Sequence, residues 1–164
     1  MCIRDSTNPT ASVITYGQTL SNCTLSGGSG SVEGTFGFST LSISPNAGTS
    51  SQSVTFTPSD TTNYNTVVFS ISITVNKANP TINTNPTTSV ITYGQTLSNC
   101  TLSGGSASVE GTFAFSTPSI SPNVGTSSQS VTFTPSDTTN YNTCLLYTSP
   151  SPRDRTRSRM PSSA

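Results

Sequence analysis

The sequence predicts an all-β chain of two tandem β-sandwich modules, and three observations carry that prediction. Residues 7 to 66 recur at 84 to 143, a shift of 77, with exchanges only at Ala11/Thr88, Gly30/Ala107, Gly37/Ala114, Leu41/Pro118 and Ala47/Val124. Self-similarity at a fixed period makes each stretch one module of an array. Within a module, apolar and polar residues alternate in short runs bounded by Gly, Pro, Asn and Asp, the pattern of half-buried strands. No window keeps helical spacing over about ten residues.

The elements follow in order. Ser12 to Tyr16 and Leu20 to Ser26 read as the first strands of a module. Thr35 to Ser39 places Phe36 and Phe38 on one face, and Ser53 to Thr57 does the same with Val54 and Phe56. Val68 to Val75 is the longest run, with Phe69, Ile71, Ile73 and Val75 sharing a face. A short strand around Thr81 to Asn83 opens the second module. Five or more strands at this spacing, separated by turn signals, suggest antiparallel sheets packed face to face. The high Ser, Thr and Asn content does not signal disorder, because Phe and Ile recur at fixed alternate positions.

Charge is unevenly distributed. Between Thr7 and Thr143 a single base, Lys77, faces four carboxylates, Glu33, Asp60, Glu110 and Asp137, for a net charge of −3. The other five bases lie at the termini: Arg4, Arg153, Arg155, Arg157 and Arg159. The run RDRTRSR would ordinarily mark a phosphate-seeking patch. The genetic code gives another origin. Met1-Cys-Ile-Arg-Asp-Ser6 can be written ATG TGT ATA AGA GAC AG, and its reverse complement, read from the second base, encodes Cys144-Leu-Leu-Tyr-Thr148. The word resembles the transposon end used to build sequencing libraries, and Ser149 to Asp154 and Ser158 to Ala164 look like continuations of the same adapter. Residues 1–6 and 144–164 are therefore set aside from fold reasoning, the latter as a disordered tail. Nucleic acid leaves the list of expected partners with them. Residues 7–76 then form a first repeat lacking its opening strand, since Asp5 stands where Ile82 opens the second. Residues 77–143 form a second repeat lacking its closing strand, because Leu146, Thr148 and Pro150 replace Phe69, Ile71 and Ile73. The false strand is expected to fade before Pro150, which has no amide hydrogen to donate.

Two cysteines remain, Cys23 and Cys100, at equivalent positions. Equivalent points of successive modules lie too far apart for a disulfide, so Cys23 is expected to point inward as a small hydrophobe. Asn22-Cys-Thr and Asn99-Cys-Thr match the N-glycosylation pattern, which has meaning only in a eukaryotic source. No stretch approaches the roughly 18 to 20 apolar residues of a membrane span. With Met1 assigned to the adapter, the start of the gene is not in view, and a missing leader says nothing about location.

Chemistry-bearing motifs are few. Ser26 to Gly34 is glycine-rich but lacks the Lys-Ser/Thr pair and following helix of a phosphate loop, so it reads as a turn between strands. Asp60-Thr-Thr-Asn-Tyr-Asn65 could offer calcium one carboxylate and several neutral oxygens, fewer than the usual 6 to 8 ligands with several carboxylates. The structural alternative is that Tyr64, and Tyr141 in the second module, resembles the tyrosine corner at the entry to a late strand, with Asp60 and Asp137 shaping the loop. Glu33 and Asp60 could meet as a carboxylate pair, but Gly and Thr around them supply no pocket wall. With no His and no base placed beside a Ser, no catalytic set and no cofactor or metal site is expected.

Several ordered motifs carry a family resemblance: Ser12-Val-Ile-Thr-Tyr-Gly-Gln-Thr-Leu20, Leu25-Ser-Gly-Gly28, Gly34-Thr-Phe36, Val54-Thr-Phe-Thr-Pro58, Asp60-Thr-Thr-Asn-Tyr-Asn65 and Val75-Asn-Lys-Ala78. Residues 7 to 143 resemble the bacterial immunoglobulin-like tandem repeats (MBG type) of large secreted and surface proteins, including adhesins. The interrupted units and the cysteines at 23 and 100 depart from that pattern. The resemblance implies immunoglobulin-like sandwiches in an extracellular or cell-surface array whose partners are neighbouring repeats. It implies that the modules serve as non-catalytic spacers, with Val75 to Pro80 as the joint. The alternative is adhesion to carbohydrate or a host protein through loops or a sheet edge, for which Tyr16 is the main exposed-aromatic candidate.

Overall fold

A computed structural model describes residues 7–148, and within them the regular structure is all β apart from two short 3₁₀ turns. The first repeat contributes β1 (Thr10–Ala11), β2 (Ile14–Thr15), β3 (Leu25–Ser26), β4 (Gly34–Phe38), β5 (Gly48–Pro58) and β6 (Val67–Asn76). The second contributes β7 (Ile82–Thr84), β8 (Thr87–Thr88), β9 (Leu102–Ser103), β10 (Ser106–Ala107), β11 (Gly111–Phe115), β12 (Gln129–Pro135) and β13 (Cys144–Thr148).

Two compact units result. Among the described residues, the first comprises residues 7–79 together with Asp137–Asn142, and the second Pro80–Ser136 with residues 143–148. The division therefore departs from the linear boundary expected at residue 76. Six residues of the second repeat, Asp137–Asn142, pack in the first unit.

In the first unit, a four-stranded sheet runs in the order β2-β6-β5-β4, all antiparallel except β2, which lies parallel to β6 through Ile14↔Val75. A second, two-stranded ladder pairs β1 with β3. Alternation decides what faces inward. Ile71, Ile73 and Val75 of β6 are buried, as are Val54 and Phe56 of β5 and Phe38 of β4. Ile14, Leu20 and Cys23 join Phe38, Val54, Ile71, Ile73 and Val75 in one core, with Ala11, Leu25, Phe36 and Phe69 half-buried around it. Each fully buried Ile, Val or Phe contributes roughly 1.5 to 3 kcal/mol by area removed from water, so this cluster dominates the stability of a small module. Phe36 leans on Phe56 with ring centroids 4.9 Å apart and meets Phe69 edge-on at 6.0 Å.

The opening segments differ from expectation. Ser12 to Tyr16 is not one strand: Ser12 bonds to Thr24, with its N–H donating to the Thr24 carbonyl and its Oγ accepting from the Thr24 N–H. The chain thus passes from the β1-β3 ladder to the main sheet at β2. Leu20 to Ser26 is not one strand either. Leu20–Asn22 is a 3₁₀ turn in which the Asn22 N–H donates to the Thr19 carbonyl and Asn22 Oδ1 accepts from the Thr19 N–H. The turn sends Leu20 into the core, where it is 1% exposed, and Cys23 follows it inward as expected. Cys23, Cys100 and Cys144 carry free thiols.

The second unit repeats this plan in three separate ladders, β11-β12-β13, β7-β10 and β8-β9. Residues 144–148 form β13, the false strand expected there and a correction to the disordered tail also expected, in the register β6 occupies in the first unit: Leu146 faces Val131 as Phe69 faces Val54. The adapter-like residues alternate well enough to complete the ladder. Pro150, where the strand was expected to end, lies outside the described residues. β13 is half the length of β6, and its neighbour shortens accordingly. The first four residues of β5 pair with Val75 to Ser72 of β6, and their counterparts at 125–128 lie outside β12. Ile91, the counterpart of Ile14, has no strand partner and is half-exposed. Thr148 occupies the place of Ile71 and is buried, but its hydroxyl Oγ1 has no partner.

Candidate functional site

Two features recur in the repeats and could act on something outside their own cores. The first is an open cavity over the glycine-rich segment. It measures about 670 Å³ in the first unit, lined by Ser29, Ser31, Glu33 and Ser59 above Phe36 and Phe56. In the second unit it measures about 600 Å³, with Ser106, Ser108 and Glu110 above Phe113 and Phe133. The glycines here serve packing. A Cβ on Gly34 would stand 2.5 Å from Phe56 Cζ and 2.5 Å from the Thr57 carbonyl oxygen, and one on Gly28 (φ +83°) would stand 3.0 Å from Phe36 and the Pro9 nitrogen. The backbone therefore lies directly against the aromatic rings, which are covered rather than offered to a ligand. Glu33 supplies the cavity's carboxylate, but Asp60 does not join it, because the Asp60 carboxylate is committed to its own loop.

That loop is the second feature. In Asp60–Asn65, Asp60 Oδ1 accepts from the N–H groups of Thr62 and Asn63 at 3.1 and 3.2 Å, and Oδ2 accepts from Asn63 Nδ2 at 2.7 Å. Asp137–Asn142 repeats the arrangement: Asp137 Oδ1 accepts from the Asn140 N–H at 3.1 Å, and Oδ2 from Asn140 Nδ2 at 2.8 Å. In both loops the Tyr N–H donates to the Asp carbonyl at 3.2 Å. The side-chain hydrogen bond from Asn63 holds the Asp60 carboxyl below the usual carboxylate range, and the one from Asn140 does the same for Asp137, where the charge of Lys77 adds a smaller effect. Both carboxylates thus organise their loops and stay ionised.

The two copies differ in what they touch. Asn140 is 7% exposed, and its Oδ1 accepts from the backbone N–H of Ala47 at 2.8 Å. The Ala78 N–H donates to the Asn140 carbonyl and the Ala78 carbonyl accepts from the Asn142 N–H, both at 2.9 Å. Lys77 Nζ donates to the Thr138 carbonyl at 2.6 Å, and Asn142 Nδ2 to Asn79 Oδ1 at 2.7 Å. Tyr141 packs edge-on against Tyr16 with centroids 5.4 Å apart. All of these groups belong to the first unit. The loop acts as a plug, and Tyr16, Ala47 and Lys77 to Asn79 form its receptacle. By contrast, Asn63 is exposed, Tyr64 is 47% exposed, and no bond like these reaches the Asp60–Asn65 loop among the described residues.

The sequence-derived site residues fall into place as follows. Phe36, Phe38, Phe56, Phe69, Ile71 and Ile73 line or border the core. Asp60 and Asp137 shape the loops. Tyr64 and Tyr141 do not form tyrosine corners: neither phenol hydroxyl bonds to backbone among the described residues, and Tyr141 is held by its ring. Tyr16, read as an exposed aromatic, is half-buried under Tyr141. The receptacle is the part that sequence reasoning missed. The one signal for it was Lys77, the only base between Thr7 and Thr143, in a stretch read as a mere joint. Among the described residues, no group of three or more His, Cys, Asp or Glu is placed to hold a metal ion, and no helix is long and apolar enough to cross a membrane. No family model, curated protein or solved structure matches the chain.

Proposed function

We propose that this chain is a stretch of a non-catalytic structural array, in which immunoglobulin-like modules follow one another as spacers in a large bacterial secreted or cell-surface protein. The observation that carries this reading is the seating of Asp137–Asn142. Six residues of the second repeat are preshaped by their own aspartate; a hydrogen bond to Ala47 and a ring contact with Tyr16 fix them on the first repeat, and four hydrogen bonds tie them to Lys77–Asn79 at the joint. A module that lends a loop to its neighbour's packing gains stability from being in a row, as repeat architectures do. The receptacle uses main-chain groups, one lysine, the Asn79 amide and the Tyr16 ring, which suits a joint that must bear load and perform no reaction. The test is small-angle scattering on chains of two, four and six complete repeats. A maximum dimension growing in proportion to repeat number is expected; a profile that stays globular would overturn the spacer role.

A second reading has one observation in its favour. The hydroxyl-lined cavity with its single carboxylate, Glu33 or Glu110, occurs in both units, and a polar, repeated site suits weak multivalent contact with carbohydrate. Binding of the full chain on a glycan array, abolished by Glu33→Gln with Glu110→Gln, would favour adhesion over spacing.

A further inference from the structure

We infer that the exposed Asp60–Asn65 loop is itself a plug, and that its partner is a further copy of this module presenting a free receptacle at that copy's own Tyr16, Ala47, Lys77 and Ala78. The inference rests on the spacer reading and adds the partner and the contact residues. Two independent features support it. The first is identity: Asp60–Asn65 and Asp137–Asn142 have the same six residues, and the second copy displays the complex the first would make. The second is preorganisation. Both loops hold the same Asx-type turn with the same Asp–Asn side-chain bond, within 0.1 Å, so the free loop already has the docked shape and loses little freedom on binding.

The chemistry left open on the free loop matches the receptacle group by group. Asn63 spends its Nδ2 on Asp60, leaving Oδ1 to accept from the N–H of an Ala47. The Asn63 carbonyl and Asn65 N–H stand where Asn140 and Asn142 bracket Ala78. The Thr61 carbonyl stands where Thr138 receives the lysine ammonium. Tyr64, 47% exposed, supplies the ring for a Tyr16. The contact joins different surfaces of the two copies, so it propagates in one direction instead of closing into a symmetric pair. The second repeat offers the next half-receptacle, with Tyr93 73% exposed and Val124, the counterpart of Ala47, 84% exposed.

The test adds one more copy of residues 7–83 directly before Thr7 of the full chain and follows amide hydrogen exchange. In the longer chain the Asn65 amide should exchange about tenfold more slowly or better, the effect of one added stable hydrogen bond of roughly 1.4 kcal/mol. Lys77→Met together with Tyr16→Ser in the added copy should reverse much of that protection. If Asn65 exchanges at its former rate while Asn142 in the same sample stays protected, this inference is overturned and the spacer reading stands. If the Ala47 and Asn142 amides are unprotected in the original chain, the spacer reading itself fails. Should the added copy not fold, the full chain with Asn140→Ala and Tyr141→Ala vacates the first unit's receptacle. Sedimentation should then show concentration-dependent self-association that Asn63→Ala with Tyr64→Ala removes. A species that stays monomeric up to about 1 mM, the effective concentration of a short tether, overturns the inference as well.

Discussion

Asn140 and Ala47 are 93 positions apart in sequence, yet the Asn140 side-chain oxygen accepts the Ala47 backbone N–H at 2.8 Å inside one packed unit. The same asparagine donates its Nδ2 to Asp137, so a single buried amide both shapes the loop and fastens it. Its counterpart Asn63 performs only the first task. Asn140→Ala removes the acceptor of the half-buried Ala47 amide and should cost about 0.5 to 1.5 kcal/mol, the net worth of a hydrogen bond whose donor can still reach water. Asn63→Ala at the exposed loop should cost clearly less. Urea denaturation gives both values, and the Ala47 amide should lose its exchange protection in Asn140→Ala alone.

Thr148 and Ile71 occupy the same place in their ladders. Thr148 pairs with Gln129 and Ile71 with Gln52, each opposite the same residue of the neighbouring strand. Ile71 belongs to the apolar core of the first unit, and the Thr148 hydroxyl in its place is buried without a partner. Thr148→Val keeps the shape and removes the orphan oxygen, so it should stabilise the second unit by about 1 to 3 kcal/mol. Ile71→Thr should destabilise the first unit by a similar amount or more, since burial of the lost methylene adds to the loss. Opposite shifts of the two denaturation midpoints are the expected outcome.

These two cases also mark the limits of what was legible in the sequence. The strands around Phe36, Val54 and Ile73 were readable because a sheet with one buried face forces a period of two on its residues. Leu20 to Ser26 misled because Cys23 and Leu25 alternate as a strand would, while Leu20 and Cys23 are spaced for a 3₁₀ turn that brings the cap residues Thr19 and Asn22 together. Residues 144–148 were half legible: their adapter-like codons argued for a disordered tail, but their alternation also pointed to a strand, and Leu146 and Thr148 do fall on an inward face. The plug was half visible, since DTTNYN stood out as a loop. Its receptacle was not, because main-chain groups of Ala47 and Ala78 leave no mark in a sequence and meet only through the fold.

Gly34 and Gly37 lie three residues apart in β4 and should respond oppositely to a methyl group. A Cβ at Gly34 would collide with the Phe56 ring and the Thr57 carbonyl, whereas one at Gly37 meets nothing within 4 Å. Gly34→Ala should therefore destabilise by about 1 to 3 kcal/mol, as overpacking does. Gly37→Ala should stay within about 0.5 kcal/mol, and the second repeat already carries Ala114 at that position. Thermal unfolding of the two variants side by side checks the contrast.

Asp60 and Asp137 both have folded-state pKa values lowered from 3.8, chiefly by the side-chain bonds from Asn63 and Asn140. A depressed carboxyl favours the fold while it is ionised. Its contribution is therefore fully present above about pH 3.8, the unfolded value, and fades as pH falls through the lower folded values. Loop order should follow the same course, with the amides of Thr62, Asn63 and Asn140 losing protection below that range and none of them changing between pH 5 and 8. Carboxyl carbon chemical shifts followed by NMR give the two titrations separately. Asn63→Ala should return Asp60 toward 3.8 and leave Asp137 where it is. Lys77→Met should raise Asp137 only slightly, because the lysine charge is the smallest of its influences. A large rise on removing Lys77 would mean that charge, and not the asparagine bond, holds the seated loop in shape.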